Sequence, residues 1–253
     1  MTAGKSGPVQ PKPGPAKSGP AKPDPAKPDP ASVETWLFDL DNTLYPAACN
    51  LFDQIDRRMG LFIEARLGLP PGEARSLQKT FFREHGTTLR GLMDRHAVPP
   101  ADYLDFVHDI DLSVVAASPG LDAALARLPG RKAIYTNASA DHAHRVLDRL
   151  EVAHHFVGIF DIADAAYLPK PDPRGYHAAI AALELDPERT VFFEDSARNL
   201  VPAHALGMTT VWVRHEAEFS ARDAEHATIH HTTNDLVAWL EGVLTGPDDV
   251  PAP

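Results

Sequence analysis

Cysteine occurs once in 253 residues, at Cys49, which excludes an internal disulfide and leaves no thiolate framework for a structural zinc site. Long apolar runs are also missing. Nothing approaches the roughly 18 to 20 residues of a membrane span, and no apolar segment of the secretory kind stands at the N-terminus, so a cytoplasmic chain without a membrane partner is expected. Positive charge is scarce too: 24 Lys and Arg against 35 Asp and Glu give a formal net charge of −11. That balance argues against a nucleic-acid partner, whose binding by counterion release needs clustered Lys and Arg. An anionic small molecule would then have to meet a local positive site. What is present is 43% hydrophobic residues, enough for a sizeable core in one large domain or a domain with a smaller insert. No sequence signal bears on oligomeric state.

Residues 1–32 repeat PAKSG, PAKPD and PAKPD from Pro15 onward and hold almost nothing to bury. A disordered tail leaning to polyproline II is expected. It carries five Lys against Asp24 and Asp29, which by difference leaves −14 on the rest of the chain. The last segment, 244–253, reads as a loose tail.

The stretch from Thr35 to Pro46, TWLFDLDNTLYP, is an apolar run that ends in two aspartates two residues apart. Trp36, Leu37 and Phe38 are bulky enough to be covered on both faces, as strands of parallel sheets are, and ligands of open α/β sheets bind beyond the carboxyl ends of strands. Asp39 sits at such an end. After Pro46 the apolar period changes: Phe52, Ile55, Met59, Phe62 and Ile63 recur at helical spacing, and further helical patterns follow near 74–85, 88–96 and 101–110. Four helices without a strand between them predict a helical cap over 47–117. From Pro119 helix and strand alternate, with strands near 132–135, 157–160, 190–193 and 209–213, a short last strand near 227–230 and a closing helix over 234–243. Such alternation predicts a Rossmann-like parallel sheet with helices on both faces, so 33–46 and 118–243 read as one α/β core.

Three more strand ends carry polar residues. The second delivers Thr136-Asn137-Ala138-Ser139 to a loop. Lys170 stands between Pro169 and Pro171, a rigid setting for an ammonium. Val191-Phe192-Phe193-Glu194-Asp195 is a second apolar run that ends in adjacent acids. Taken in order, FDLDNT, TNAS, Pro-flanked Lys170 and FFED resemble the four motifs of the haloacid dehalogenase-like superfamily. DNTLYP, YTNAS and EDSARN look most like its pyrimidine 5'-nucleotidase-type branch.

The resemblance implies a Mg²⁺-dependent phosphomonoester hydrolase working through an aspartyl-phosphate, with a small phosphorylated metabolite such as a nucleoside 5'-monophosphate as substrate. Asp39 would be the nucleophile and Asp41 the general acid/base. Thr136, Asn137 and Lys170 would hold the phosphate, while Asp39, Asp195 and the Asp41 carbonyl would hold the metal. Glu194 stands open between a direct ligand and a group behind one, since many members have Asp-Asp or Gly-Asp there. A 2-haloacid dehalogenase shares the nucleophile but has no need of Asp41, and a silent binding module has no need of Asp39 or Lys170. Tyr45, leaving the first motif, is a hinge-side candidate with a core role as its alternative. The thirteen histidines include the pairs His142/His144, His154/His155 and His230/His231. None lies in the four motifs, and neighbours on a strand face opposite ways, so no metal or acid/base role is expected of them.

Overall fold

The computed structural model describes residues 26–216, 220–221 and 226–245. Most of the Lys-rich repeat and residues 246–253 of the expected C-terminal tail lie outside them. At the described end of the leader, Pro30–Ser32 forms a 3-10 turn capped by Asp29, and the Lys27 ammonium donates to the Trp239 carbonyl at 3.0 Å.

Six parallel strands form one sheet: β1 (Thr35–Phe38), β2 (Arg131–Tyr135), β3 (Gly158–Phe160), β4 (Thr190–Glu194), β5 (Thr209–Val213) and β6 (His231–Thr233). Their spatial order is β3-β2-β1-β4-β5-β6. The chain starts in the middle and builds outward first one way, then the other, so the strand order reverses beside β1. The crevice at such a reversal is where open α/β sheets place their ligands. Leu37 pairs in register with Ala133 on one side and Phe192 on the other.

Side-chain alternation sorts the core into two layers. Trp36, Phe38, Val191 and Phe193 face α5 (Pro119–Arg127), α6 (Ala140–Leu150) and α9 (Leu236–Leu244). Leu37, Phe192 and Trp212 face α7 (Pro173–Leu183) and α8 (Ala197–Ala205). Phe38 and Phe193 stack at 4.6 Å between centroids, which locks β1 to β4 immediately before both strands deliver their acids.

Between β1 and α5 lie four helices, α1 (Leu51–Leu67), α2 (Pro71–His85), α3 (Thr88–His96) and α4 (Pro100–Val107), with their own core of Ile55, Phe62, Ile63, Phe81, Leu92 and Tyr103. Pro at the first turn of α2 and α4 and the Thr87 cap on α3 set their starts. α2 and α3 meet so closely at Gly91 that a Cβ there would overlap the Phe81 ring. Gly91→Ala should therefore destabilise the fold by about 1–3 kcal/mol, as overpacked cores do, visible as a lower Tm; an unchanged Tm would mean that this contact does not form.

Two departures from the sequence expectation have a visible cause. α4 stops at Val107 rather than continuing to Ile110, because the Arg145 guanidinium takes the His108 carbonyl at 2.6 Å and the chain turns there. The last strand is β6 rather than 227–230: His226–Thr228 forms a 3-10 turn, and His230 Nδ1 accepts from the Thr210 backbone at 3.0 Å, so pairing with β5 begins only at His231.

Candidate active site

The acids and the lysine expected from the sequence meet beyond the carboxyl ends of β1 and β4. Asp39 extends the β1–β4 ladder by one bond, its N–H donating to the Phe193 carbonyl at 2.9 Å. The chain then turns over Asn42, whose φ of 60° is one that Asn tolerates better than most residues. This turn brings the Thr43 hydroxyl back to donate to Asp39 Oδ2 at 3.1 Å.

Lys170 is 1% exposed although it lies on a loop. Its ammonium donates to Asp39 Oδ1 at 2.7 Å, Glu194 Oε2 at 2.6 Å and the Tyr135 carbonyl at 2.9 Å, which uses all three protons. Asn137 sets the loop by accepting the Lys170 N–H at 2.8 Å. The structure thus finds Asn137 on the backbone of Lys170, and the Thr136 hydroxyl accepting the Ala138 N–H within its own turn at 3.0 Å.

Asp39, Glu194 and Asp195 are all buried and each offers an oxygen within 4.8 Å of the others. Burial pushes Asp39 up to about 7, with Glu194 adding to the rise and Lys170 opposing it. Glu194 is likewise pushed up to about 7 by burial, against the pull of Lys170. Asp195 is raised by burial, partly offset by its hydrogen bond with His215. Three carboxylates against one ammonium are electrostatically incomplete, and an all-oxygen cluster of this kind fits Mg²⁺. Glu194 has both oxygens engaged, Oε2 by Lys170 and Oε1 by the Ser196 N–H and the Asn199 amide at 3.1 and 3.0 Å. One of its oxygens thus helps to hold Lys170.

Asp41 is held apart from these acids. Its Oδ1 accepts from the Tyr45 hydroxyl at 2.6 Å and lies 2.9 Å from His142 Nε2. Burial raises its proton affinity, but the charge and hydrogen bond of His142 and the bond from Tyr45 outweigh that, and the net shift is downward. Tyr45 is 2% exposed, so it is a core residue with its polar end on Asp41.

The sequence assigns the histidines no metal or acid/base role, yet the structure brings three of them to the site, two against its carboxylates and one stacked behind. His142 lies in the first turn of α6, capped by Ser139, and helical side chains lean toward the N-terminus, which here carries the ring to the loop after β1. The ring of His108 from the end of α4 stacks on it, centroids 4.3 Å apart. His215, just past β5, places Nε2 2.9 Å from Asp195 Oδ2. A helix start straight after a polar strand end was the signal available for His142; His215 had none.

The end of α2 and helix α3 meet the core beside Lys170, where a cavity of about 240 Å³ is lined by His85, Arg90, Asp94, Leu168, Pro169 and Asp172 among others. Arg198 reaches across from α8 to donate to the Gly86 carbonyl at 3.1 Å.

The profile of the haloacid dehalogenase-like hydrolases matches residues 33–207. The chain belongs to that family. Phosphate metabolism protein 8 of Saccharomyces cerevisiae is 27% identical over 232 residues, covering 85% of this chain and 71% of the yeast protein. Among solved structures, a HAD phosphatase from Thermococcus onnurineus superposes with a TM-score of 0.57 at 18% identity, over 86% of this hydrolase and all of that chain. The L-2-haloacid dehalogenase of Xanthobacter autotrophicus, with chloropropionic acid covalently bound, gives 0.52 at 13% identity over 85% and 99% of the two chains. At such identities these structures speak to the shared fold of this hydrolase. Among its described residues no helix is long and apolar enough to cross a membrane.

Proposed function

We propose that this hydrolase cleaves phosphomonoesters through an aspartyl-phosphate on Asp39, with a small organic phosphate such as a nucleoside 5'-monophosphate as substrate and Mg²⁺ as cofactor. The observation that carries the reading is the setting of Asp41. A second carboxylate two residues beyond the nucleophile, fixed on one oxygen by His142 and Tyr45, leaves Oδ2 for proton transfer. Displacing a halide requires no such group. The names of the yeast relative and of the Thermococcus structure agree with this choice.

In the first step an Asp39 carboxylate oxygen bonds to phosphorus as the ester P–O bond breaks, and Asp41 gives its proton to the departing oxygen. Asp41 is resting as the carboxylate, and an incoming phosphate dianion raises its proton affinity by like-charge repulsion, so it becomes an acid when substrate binds. In the second step Asp41 takes a proton from water as that water attacks phosphorus, which frees Asp39 and inorganic phosphate. Lys170 favours the ionised form of Asp39 beside a substrate of the same sign. Asp39, Asp195 and the Asp41 carbonyl would hold Mg²⁺, which when bound supplies charge neutralisation on the phosphoryl oxygens. The helices α1–α4 form the wall facing the leaving group and set which ester is accepted.

A screen of nucleotides, sugar phosphates, phosphoglycolate and 2-haloacids tests the proposal. With Mg²⁺, inorganic phosphate should appear from at least one ester class; excess EDTA should stop it and Mg²⁺ restore it, with Ca²⁺ a poor substitute because of its looser coordination. Halide release without phosphatase activity would favour the dehalogenase, and phosphate release undiminished in chelator would remove the metal from the proposal.

A further inference from the structure

Away from the catalytic cluster, three side chains from two segments converge at the surface. Asp122 stands in the first turn of α5, and His154 and His155 form most of the 3-10 turn Ala153–His155 that leads toward β3. The active-site residues follow strand ends, whereas this turn precedes the strand β3, and none of its residues belongs to the catalytic cluster. His155 Nε2 lies 2.7 Å and His154 Nε2 3.3 Å from the same oxygen, Asp122 Oδ1, and the two rings are 4.0 Å apart between centroids. The reading that adjacent histidines cannot serve one ion holds for a strand. In this turn they point the same way.

We propose that Asp122, His154 and His155 form a second metal site, for a borderline divalent transition ion such as Zn²⁺. Two imidazole nitrogens and a carboxylate oxygen within 4.8 Å of one another make a donor set that suits Zn²⁺, Co²⁺ or Ni²⁺. The all-oxygen cluster at Asp39 and Asp195 suits Mg²⁺ instead, so the two places sort metals by ligand chemistry. The backbone that carries the donors is already fixed. Val152 is fully buried before the turn, Phe156 packs edge-on against Phe38 after it at 5.9 Å, and Leu121, Ala124 and Leu125 hold α5 in the core. Little ordering is left for the ion to impose, and preorganisation of this kind favours binding. His155 is 12% exposed, Asp122 43% and His154 65%, so the site is anchored on one side and open to water, or to a fourth ligand, on the other.

The test is calorimetric titration of the full chain with Zn²⁺ in excess Mg²⁺, for the wild type, His154→Ala and Asp122→Asn. Both substitutions are at solvent-facing positions outside the catalytic machinery, and Mg²⁺-supported turnover should be unchanged in each. The wild type should bind one Zn²⁺ more than the variants, or bind it roughly tenfold or more tightly. Co²⁺ should report the site independently, with visible absorption bands that His154→Ala loses. Equal Zn²⁺ stoichiometry and affinity in all three proteins, or a Co²⁺ spectrum untouched by His154→Ala, would overturn the proposal and leave the shared hydrogen bonds as the whole role of the cluster. Neither outcome bears on the phosphatase reading, which uses none of these residues.

Discussion

Lys170→Met should cost both the fold and the chemistry. The substitution removes the ammonium that Asp39 and Glu194 share and leaves two buried acids facing each other. Breaking a buried ion pair by removing one partner typically destabilises by about 3–5 kcal/mol. Here the acids have an escape: both are already pushed up to about 7, so without Lys170 they would take up protons near neutral pH rather than stay charged. The loss should therefore fall toward the lower end of that range and should be larger at alkaline than at acidic pH, where protonation relieves the repulsion. Activity should suffer more than stability, because a protonated Asp39 cannot attack phosphorus. Loss of one preorganised electrostatic donor alone is worth roughly 10² to 10³ in kcat. Denaturant melts at two pH values and a steady-state assay check both parts. A variant with wild-type Tm and turnover would show that the ammonium neither holds the acids nor serves the reaction.

The parts of this site that were legible in the sequence are those in which a strand's apolar residues and the acid after them are contiguous. TWLFD and VFFED each announce a buried strand and name the carboxylate at its end, and Phe38 stacked on Phe193 is why those two ends lie side by side. Lys170 was legible for a different reason, since two flanking prolines mark a loop that must hold one shape. What was not legible depends on distances in space between residues far apart in the chain. His142 is 101 positions from Asp41, and nothing in a helical pattern says which first-turn residue will lean over a neighbouring loop. Glu194 and Asp195 are chemically similar neighbours. Their partners differ in space: Glu194, the last residue of β4, bonds to Lys170 and Asn199, and Asp195, just past the strand, to His215. The misplaced last strand has the same origin: Ala227 to His230 has ordinary strand composition, but His230 gives its side chain to Thr210 and the ladder starts one residue later.

Asp39 and Asp41 are identical side chains two residues apart, yet they should fail in different ways when amidated. Asp39→Asn removes the attacking oxygen while keeping an acceptor for Lys170, so turnover should fall to background and no phosphoryl-enzyme should form. Asp41→Asn leaves the nucleophile and its ammonium in place. It exchanges the proton donor and acceptor for an amide, a loss of roughly 10² to 10⁴ in rate, and it also weakens the bonds from His142 and Tyr45 that fix this side chain. The two half-reactions should not slow equally. An aryl phosphate with a good leaving group needs little protonation, so Asp39 can still attack it, whereas the water of the second half loses the carboxylate that would take its proton. Phosphoenzyme should then accumulate in Asp41→Asn, and intact-protein mass after a brief acid quench should show one added phosphoryl group. The same quench should find none on Asp39→Asn. A dehalogenase would give no such adduct with any phosphate ester, and a binding module would give none with any substrate. Near-wild-type phosphatase activity in both variants would mean that the reaction does not run on these two residues at all.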